Sequence, residues 1–398
     1  MVNLISLADR LGALDKSSIQ CNPERCLRTR YKYSDCHACI DACPVTAIQF
    51  DKPLSINQDA CTHCGLCLRI CPLGAFSSDD GVEDLFTCAS SLECVTALEL
   101  VCAAHPSGEI GPGEIDAAIR TNYCLAALGP SAYTGLYILG SERVAVRLDE
   151  CKDCPLGSVL PEIKNAITKT QWILAAYGLK AQIAISNVTE PTNWKQRPIY
   201  ETRNPPLSRR DLFQMFAKRG PRFAARALMA GHDSTERTDL ISHERRRLAG
   251  VLMHLSLYNT FDPSKSSLED LGWIRLAAGS DCNACGVCAR ACPTGALEFT
   301  TSEIDQYELL FHPKDCVDCG ICLDLCQPAA LKREKLLLVD FLAEKHPMLV
   351  SGFLKKCRRC GAKVAEVNTD GLCGICDFRR QNPFGSKILT PRKRKHPD

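Results

Sequence analysis

The sequence predicts an α+β protein assembled from small modules. Two cysteine-rich modules of short strands and turns flank a small α/β domain with a parallel sheet, and a short cysteine-held segment follows. Three observations predict this. Cysteine runs close in the same manner at four places: Cys43-Pro44, Cys71-Pro72, Cys292-Pro293 and Cys326-Gln327-Pro328. Between the second and third of these, residues 82–187 alternate short β-rich runs with helical ones, the pattern of a mainly parallel sheet. Toward the C-terminal end, two C-x2-C pairs, Cys357/Cys360 and Cys373/Cys376, are separated by twelve residues.

At 398 residues the chain exceeds one typical domain, and roughly two to four modules are expected. Its 45% hydrophobic and 24% charged residues describe ordinary globular material, whereas its 27 cysteines do not. In a secreted chain so many cysteines would point to disulfides, but secreted disulfide scaffolds are short. The first 18 residues lack a basic region followed by a long apolar stretch, so no secretory signal is expected. No apolar run is long enough to predict a transmembrane helix. The expected location is therefore cytoplasmic and reducing, where clustered cysteines favour metals. The formal charge of +2 counts every cysteine as neutral; metal-bound thiolates would make the protein more negative.

Three of the four runs read C-x2-C-x2-C-x3-C: Cys61/Cys64/Cys67/Cys71, Cys282/Cys285/Cys288/Cys292 and Cys316/Cys319/Cys322/Cys326. This is an iron–sulfur spacing in which the fourth cysteine ligates the neighbouring cluster. Gly65, Gly286 and Gly320 follow the second cysteine of each run, where a backbone wrapping closely around a cluster needs positive φ. These runs resemble the two-cluster bacterial ferredoxins. The resemblance implies four [4Fe–4S] clusters, two in residues 1–80 and two in residues 246–335. The first run departs from the pattern, reading Cys36-x2-Cys39-x3-Cys43, and the expected first ligand falls at Tyr33. Cys26, reaching in from an expanded loop, is the better candidate, with Cys21 the runner-up. The expected sets are Cys26, Cys36, Cys39 and Cys71 for one cluster, and Cys43, Cys61, Cys64 and Cys67 for its neighbour. In the second module, Cys282, Cys285, Cys288 and Cys326 form one set; Cys316, Cys319, Cys322 and Cys292 form the other. A three-iron cluster, or none, at the first site is the competing reading. His37 and His63, inside the runs, are expected to be exposed loop residues and not ligands.

In residues 82–187 the expected strands are Asp84–Cys88, Leu98–Cys102, Ile119–Cys124, Arg143–Leu148 and Ala181–Ile185, with helices near Ala132–Leu139 and Val159–Tyr177. Six cysteines lie between positions 88 and 154. Cys88, Cys102, Cys124 and Cys151 each follow a predicted strand, with Cys154 one turn later. Strand carboxyl ends in an open α/β sheet point to one crevice, so these residues can converge. The region resembles the delta subunit of methyl-viologen-reducing hydrogenase, a small iron–sulfur relay protein. That resemblance implies a further cluster, of [2Fe–2S] type, for which Cys88, Cys124, Cys151 and Cys154 are the favoured ligands. Buried free thiols in a structural domain, or a redox-active dithiol at Cys151/Cys154, are the alternatives.

Residues 188–245 read as a Pro-rich and then basic linker, and residues 248–258 as an apolar helix leading into the second module. Within the linker, Leu212, Phe216, Phe223 and Leu228 recur at helical spacing among basic residues. This predicts an amphipathic helix packing on a partner or across the modules, with weak peripheral membrane contact as an alternative. Ser208-Arg209-Arg210-Asp211-Leu212-Phe213 imitates a twin-arginine export signal, but it is internal and no long apolar stretch follows it. Residues 340–380 form the segment of Cys357, Cys360, Cys373 and Cys376. Two C-x2-C knuckles around a short alternating stretch predict a tetrahedral, zinc-ribbon-like site, with iron in a rubredoxin-like site as the alternative. Zinc there would fold a segment too small for a core. Residues 386–398 form a basic tail.

No G-x-G-x-x-G follows a strand, and neither a P-loop nor H-E-x-x-H occurs, so no nucleotide or metalloprotease motif competes with the cysteines. A chain with many clusters and no substrate motif is expected to be a wire. The expected role is electron transfer within an anaerobic redox complex, with enzyme subunits as donor and acceptor. Candidate partners are a hydrogenase, a formate or aldehyde dehydrogenase, or a heterodisulfide-reductase-like enzyme. Two alternatives remain: a cluster-based redox sensor binding nucleic acid through the C-terminal segment and tail, and a disulfide or thiol reductase using the middle cysteines.

Overall fold

The computed structural model describes residues 18–51, 53–92, 95–180, 182–186, 193–206, 240–260, 267–343 and 347–383. The predicted basic amphipathic helix, the export-like motif, the basic tail and Cys94 lie outside these residues. Among the described residues no helix is long and apolar enough to cross a membrane. The chain divides into two units, with the break in the 260s.

The first unit opens with β1 (Gln20–Cys21), α1 (Leu27–Arg30), α2 (Ala38–Asp41), β2 (Ile48–Phe50), β3 (Leu54–Ile56), α3 (Leu66–Ile70) and β4 (Phe76–Ser77). The pairing is nested: β1 runs antiparallel to β4, and β2 to β3. Strands of two or three residues cannot hold a fold by their own hydrogen bonds. Ile19, Ile48, Leu54, Ala75 and Phe76 close a small core, and seven cysteines pack against or within it.

The middle domain follows with α4 (Val82–Ser90), β5 (Ala97–Val101), β6 (Ile110–Pro112), β7 (Ala117–Arg120), α5 (Pro130–Ile138), β8 (Arg143–Val146), α6 (Leu160–Ala176), β9 (Gln182–Ile185), β10 (Trp194–Gln196) and β11 (Ile199–Glu201). Five strands form one parallel sheet in the order β11-β7-β5-β8-β9. Leu98, Leu100, Ile119, Val144, Val146 and Ile183 share one apolar core with Leu85, Phe86, Tyr133, Ile163 and Ile167 of the helices. On alternate positions of the same strands the chemistry changes. Glu99, in the centre of β5, is fully buried and pairs with Arg147 and Arg197, while the Ser186 hydroxyl donates to it. Two guanidinium partners are what a buried carboxylate needs to stay charged. The antiparallel pair β6 and β10 brings Trp194 against the Arg147 guanidinium, 4.4 Å from the ring centroid.

Three sequence expectations are corrected. Asp84–Cys88 is helix, not strand. Asp79 and Asp80 accept from the amides of Gly81 and Val82 and start the helix, and buried Val82, Leu85, Phe86 and Ala89 recur at its period. The strand expected at Ile119–Cys124 ends at Arg120, where Thr121 turns the chain by donating its hydroxyl to Tyr123 O. Part of the region read as linker belongs to the domain: Trp194–Gln196 and Ile199–Glu201 are strands, and β11 extends the parallel sheet.

Helix α7 (His243–Tyr258) belongs to this first unit, although the sequence suggests an approach to the second module. Ser242 caps it through Arg245 N–H, and Leu248, Val251, Leu252 and Leu255 are buried. Glu244 explains its docking. Its carboxylate accepts from Ser131 N–H at 2.9 Å and from the Ser131 hydroxyl at 2.5 Å, at the N-terminus of α5. An acid there satisfies orphan amides and complements the helix dipole. Tyr177 donates to Leu252 O at 2.7 Å, and Arg247 pairs with Asp80.

The second unit contains β12 (Ile274–Ala278), α8 (Val287–Ala291), β13 (Leu297–Thr301), β14 (Gln306–Phe311), α9 (Ile321–Leu325), β15 (Leu331–Lys335), α10 (Leu338–Leu342), β16 (Met348–Phe353), β17 (Lys355–Lys356), β18 (Lys363–Val364) and α11 (Gly374–Gln381). The nesting of the first module recurs, with β12 antiparallel to β15 and β13 to β14. Its pairs are longer, at five residues each, and β16 adds a third strand beside β14. Trp273, fully buried, packs against Phe341 of α10 with ring centroids 4.9 Å apart and planes tilted by 59°.

Replacing Glu244 with alanine leaves two donors of Ser131 buried without an acceptor, and should cost ~1–3 kcal/mol. Thermal unfolding is expected to show a lower midpoint for Glu244→Ala and a smaller loss for Glu244→Gln, which keeps an acceptor.

Candidate metal centres

Each closing cysteine is followed by the same backbone turn. Thr46, Gly74, Gly295 and Ala329, three residues after Cys43, Cys71, Cys292 and Cys326, have φ of 50°, 55°, 72° and 55°. Their amides donate to the carbonyl of the closing cysteine at 3.3, 3.2, 3.4 and 2.9 Å. In the first module the next amide donates to sulfur: Ala47 N–H to Cys43 Sγ and Ala75 N–H to Cys71 Sγ, both at 3.3 Å. Inside the three regular runs, His63, Ala284 and Asp318 precede the second cysteine with φ of 56°, 53° and 50°. The glycines after that cysteine, Gly65, Gly286 and Gly320, have φ of 77°, 63° and 69°. Left-handed backbone on residues with a Cβ costs energy and concentrates at functional sites. Five of the six such non-glycine residues among those described lie in the cysteine runs.

These turns line four cavities of nearly equal volume, about 380–410 Å³. Cys26, Cys36, Cys39 and Cys71 line the first, with Phe50, Leu54 and Phe76. The second brings together Cys43, Cys61, Cys64 and Cys67, with Cys39 and His63 also on its wall. Cys292, Cys316, Cys319 and Cys322 meet beside Ile274, Leu297 and Phe311. Cys282, Cys285, Cys288 and Cys326 meet beside Phe299, Leu309 and Leu331. Cys21 is not among the residues lining the first cavity; its thiol faces Leu54 O at 3.8 Å. Tyr33 is 55% exposed.

The donor chemistry of these cavities fits a cationic iron–sulfur core. Burial, followed by the charge of neighbouring cysteines, pushes the Cys39 and Cys288 thiols up to about 12, and Cys64 is pushed up to about 11 by burial. Cys322 is driven well up for the same two reasons. Four thiols in an apolar pocket stay protonated unless a cation replaces the protons.

In the middle domain the strand ends gather a different set. The connection from β5 leaves toward β7 and that from β8 toward β9, so the sheet's switch point lies between β5 and β8. Cys102 follows β5, Cys124 leads the turn Leu125–Ala127 after β7, and Cys151 and Cys154 lie in and just after the turn Asp149–Asp153 after β8. Cys124 hydrogen-bonds to Cys102, which holds Cys102 down and Cys124 up; Ala104 N–H also donates to Cys102 Sγ, at 3.4 Å. Burial pushes Cys151 up to about 12, and the charges of Cys102 and Cys154 add to it. The Tyr133 hydroxyl is buried without a hydrogen-bond partner and lies close enough to Cys124 and Cys151 to feel their charge. An orphan buried donor that feels the charge of Cys124 and Cys151 fits an acceptor held near those two thiols.

Cys88 does not join this group. It is fully buried on α4, and after burial itself the charges that reach it are those of Glu201 and Asp84. The sequence named Cys88 because it expected a strand ending there; the helix carries it away from the crevice.

The four C-terminal sulfurs lie within 4.8 Å of one another. Cys357 and Cys360 occupy the hairpin between β17 and β18, closed by Gly361 at φ 74° with its amide donating to Cys357 O at 3.0 Å. Cys373 is the N-cap of α11 and Cys376 lies in its first turn. Cys373 N–H donates to Cys357 Sγ at 3.2 Å. Backbone N–H donors, those of Cys360 and Cys373 foremost, hold Cys357 down to about 6. The segment is a hairpin joined to a helix. Within the alternating stretch 362–371, strand is limited to Lys363–Val364, and Asn368 organises the turn by accepting from Asp370 N–H and Leu372 N–H.

Comparison with known proteins agrees with the four-cavity geometry. Residues 34–75 and 281–330 match the family of 4Fe-4S dicluster domains. Over 48 residues the chain is 40% identical to a ferredoxin of Methanothermococcus thermolithotrophicus, covering 12% of this chain and 80% of that protein. The chain belongs to the ferredoxin family. It is also 36% identical over 66 residues to an uncharacterised ferredoxin of Methanocaldococcus jannaschii, covering 16% of this chain and 40% of that one. A ferredoxin-type protein of Haemophilus influenzae, NapF, is 40% identical over 53 residues, covering 12% of this chain and 30% of its own length. The chain thus spans less than half the length of these last two. No solved structure matches it.

As a ferredoxin, the chain carries two iron–sulfur modules of the 4Fe-4S type. Sequence reasoning missed Tyr133 and the left-handed Thr46 and Ala329. Alignment of the four closings would have revealed the latter, since Gly74 and Gly295 occupy the same position. Because Cys26 and not Cys21 lines the first cavity, Cys26→Ser should lower the iron content by about one to four atoms per chain. Cys21→Ser should leave it unchanged. Iron and sulfide analysis of anaerobically purified protein distinguishes the two.

Proposed function

We propose that this ferredoxin is a multi-cluster relay subunit of a larger oxidoreductase. Cys26, Cys36, Cys39 and Cys71 hold one [4Fe–4S] cluster, and Cys43, Cys61, Cys64 and Cys67 hold the next. Cys282, Cys285, Cys288 and Cys326 hold a third, and Cys292, Cys316, Cys319 and Cys322 a fourth. The observation that carries this reading is the gathering of four cysteines in each of four cavities of similar size, with Cys39 also on the wall of a second. In each module the closing cysteine of one run crosses to the other run's cavity, as paired clusters require. The fitting partner is a cytoplasmic enzyme of anaerobic metabolism that exchanges single electrons, such as a hydrogenase, a formate or aldehyde dehydrogenase, or a heterodisulfide-reductase-like enzyme.

The middle domain holds a fifth iron–sulfur site in this reading, of the [2Fe–2S] type, on Cys102, Cys124, Cys151 and Cys154. Cys102 takes the place that the sequence gave to Cys88. Support comes from the position of the four thiols at the switch point and from the unpartnered Tyr133 hydroxyl. A hydrogen bond to a cluster sulfur stabilises the more negative reduced state. Tyr133→Phe should therefore shift the midpoint of this site to lower potential without changing iron content, which a redox titration followed by electron paramagnetic resonance reads.

Cys357, Cys360, Cys373 and Cys376 hold zinc and brace the C-terminal segment. Four thiolates with backbone donors suit a closed structural site. Two of the nearby arginines are engaged within the segment: Arg380 pairs with Asp370 and Asp377, and Arg359 donates to Cys376 O. This favours a structural role over recognition of nucleic acid.

Anaerobic purification from the native host tests the whole reading. About 18 irons per chain are expected, sixteen in four cubanes and two in the middle site, with about one zinc and a co-purifying redox enzyme. Fewer than about eight irons would overturn it. Zinc is expected to survive substitution of any ferredoxin-module cysteine and to be lost in Cys360→Ser.

A further inference from the structure

Three regular runs carry a glycine after their second cysteine, but one of these glycines has an exceptional neighbour. A Cβ on Gly65 would lie 2.7 Å from Ala127 Cβ and 3.5 Å from Ala127 Cα. The equivalent Cβ on Gly286 would meet only the side chains of Arg290 and Phe299, within its own module. The cysteine beside the glycine follows suit: Cys64 is 9% exposed, whereas Cys285 is exposed and Cys319 half-buried. Cys64 and Leu66 share one apolar core with Cys124, Leu125 and Ala126. Arg69, one turn along α3, clamps the contact. Its Nε donates to Ala126 O at 3.1 Å and its Nη2 to Glu162 at 3.4 Å, and its side chain is 9% exposed.

We propose that the contact of Cys64–Gly65 with Cys124–Ala127 is an electron junction between the first ferredoxin module and the middle iron–sulfur site. This rests on the reading of Cys102, Cys124, Cys151 and Cys154 as ligands. Gly65 admits the turn Leu125–Ala127 onto the module, and Arg69 fixes it there, so a ligand of each site meets within one water-excluded core. In each event one electron crosses: iron held by Cys43, Cys61, Cys64 and Cys67 is oxidised by one unit and iron held by the middle cysteines is reduced by one. No bond forms or breaks and no proton moves. Gly65 and Arg69 act as positioning residues through the cysteines they bring together. The second cavity of the module is thereby the one that meets the middle domain.

The test compares the full, cluster-loaded chain with Gly65→Ala and Arg69→Met. In the wild type, full reduction should give electron paramagnetic resonance lines broadened by coupling between the two reduced sites. Arg69→Met should keep wild-type iron and sulfide, and each site should keep its own spectrum when the other is oxidised. The broadening should be lost or reduced, and freeze-quench after rapid mixing with dithionite should show the middle site reduced later than in the wild type. Arg69→Met keeps the backbone of α3 unstrained, so it reports even where Gly65→Ala, substituted at φ 77°, fails to load iron. Unchanged broadening and unchanged reduction order in Arg69→Met overturn the junction while leaving the relay reading intact. Iron content that Cys102→Ser does not lower removes the middle site itself, and with it both readings.

Discussion

The fold depends on a repeated problem, the burial of sulfur. Sixteen cysteines sit in four apolar cavities, and burial together with mutual repulsion disfavours the thiolate at Cys39, Cys64, Cys67, Cys288 and Cys322. Such a cavity suits a positive core, which would replace the thiol protons. The strands show the same dependence. Pairs of two or three residues in the first module could not persist alone. Their role is to carry the closing cysteines into register, and the left-handed turns after Cys43, Cys71, Cys292 and Cys326 aim the following amides back toward those cysteines.

The two modules solve this problem with unequal resources. The second has five-residue pairs, a third strand and the Trp273–Phe341 contact. The first has short pairs, but its α3 lies against the middle domain through Arg69 and Gly65. Missing strand length is offset by packing against a neighbour. On the same side, within reach of the Arg69 charge, Glu244 satisfies the N-terminus of α5 from α7. The buried Glu99–Arg147–Arg197 cluster ties β5, the end of β8 and the segment after β10 together beneath the sheet. The sheet's C-terminal edge is thereby framed by charged contacts, and that edge presents Cys102, Cys124, Cys151 and Cys154.

Much of this was legible in the sequence wherever covalent spacing dictates geometry. The x2 and x3 intervals admit few arrangements around a cubane, and the cavities group the cysteines along those intervals. The parallel sheet was legible from alternation. Legibility failed where local and tertiary signals compete. Asp84–Cys88 holds apolar residues that fit either period over five positions; only Asp79, Asp80 and the continuation to Ala89 decide for helix. The strands at Trp194–Gln196 and Ile199–Glu201 lie in a Pro-rich stretch, where composition argues for linker. Proline is tolerated at a sheet edge, and β11 is an edge strand whose preceding Pro198 gives its carbonyl to Ala118 N–H. Tyr133 was invisible because its significance lies in what its hydroxyl lacks.

The departure of the first run follows from the same physics. A regular run needs left-handed backbone before and after its second cysteine, as at His63/Gly65, Ala284/Gly286 and Asp318/Gly320. Cys36-His37-Ala38-Cys39 has neither; His37 is the N-cap of α2, with φ −116°. The chain therefore cannot wrap three sulfurs around one cavity from this run alone. Cys26 lines that cavity in place of the missing cysteine, at the end of a one-turn helix that Asn22 caps through Glu24 N–H. That loop exchanges a backbone constraint for sequence separation: nine residues intervene between Cys26 and Cys36 instead of two, at a modest entropic cost. The site nearest this loop can then vary its surroundings without disturbing Cys43 and its neighbours, whose cavity must keep its fit against the Leu125–Ala127 turn.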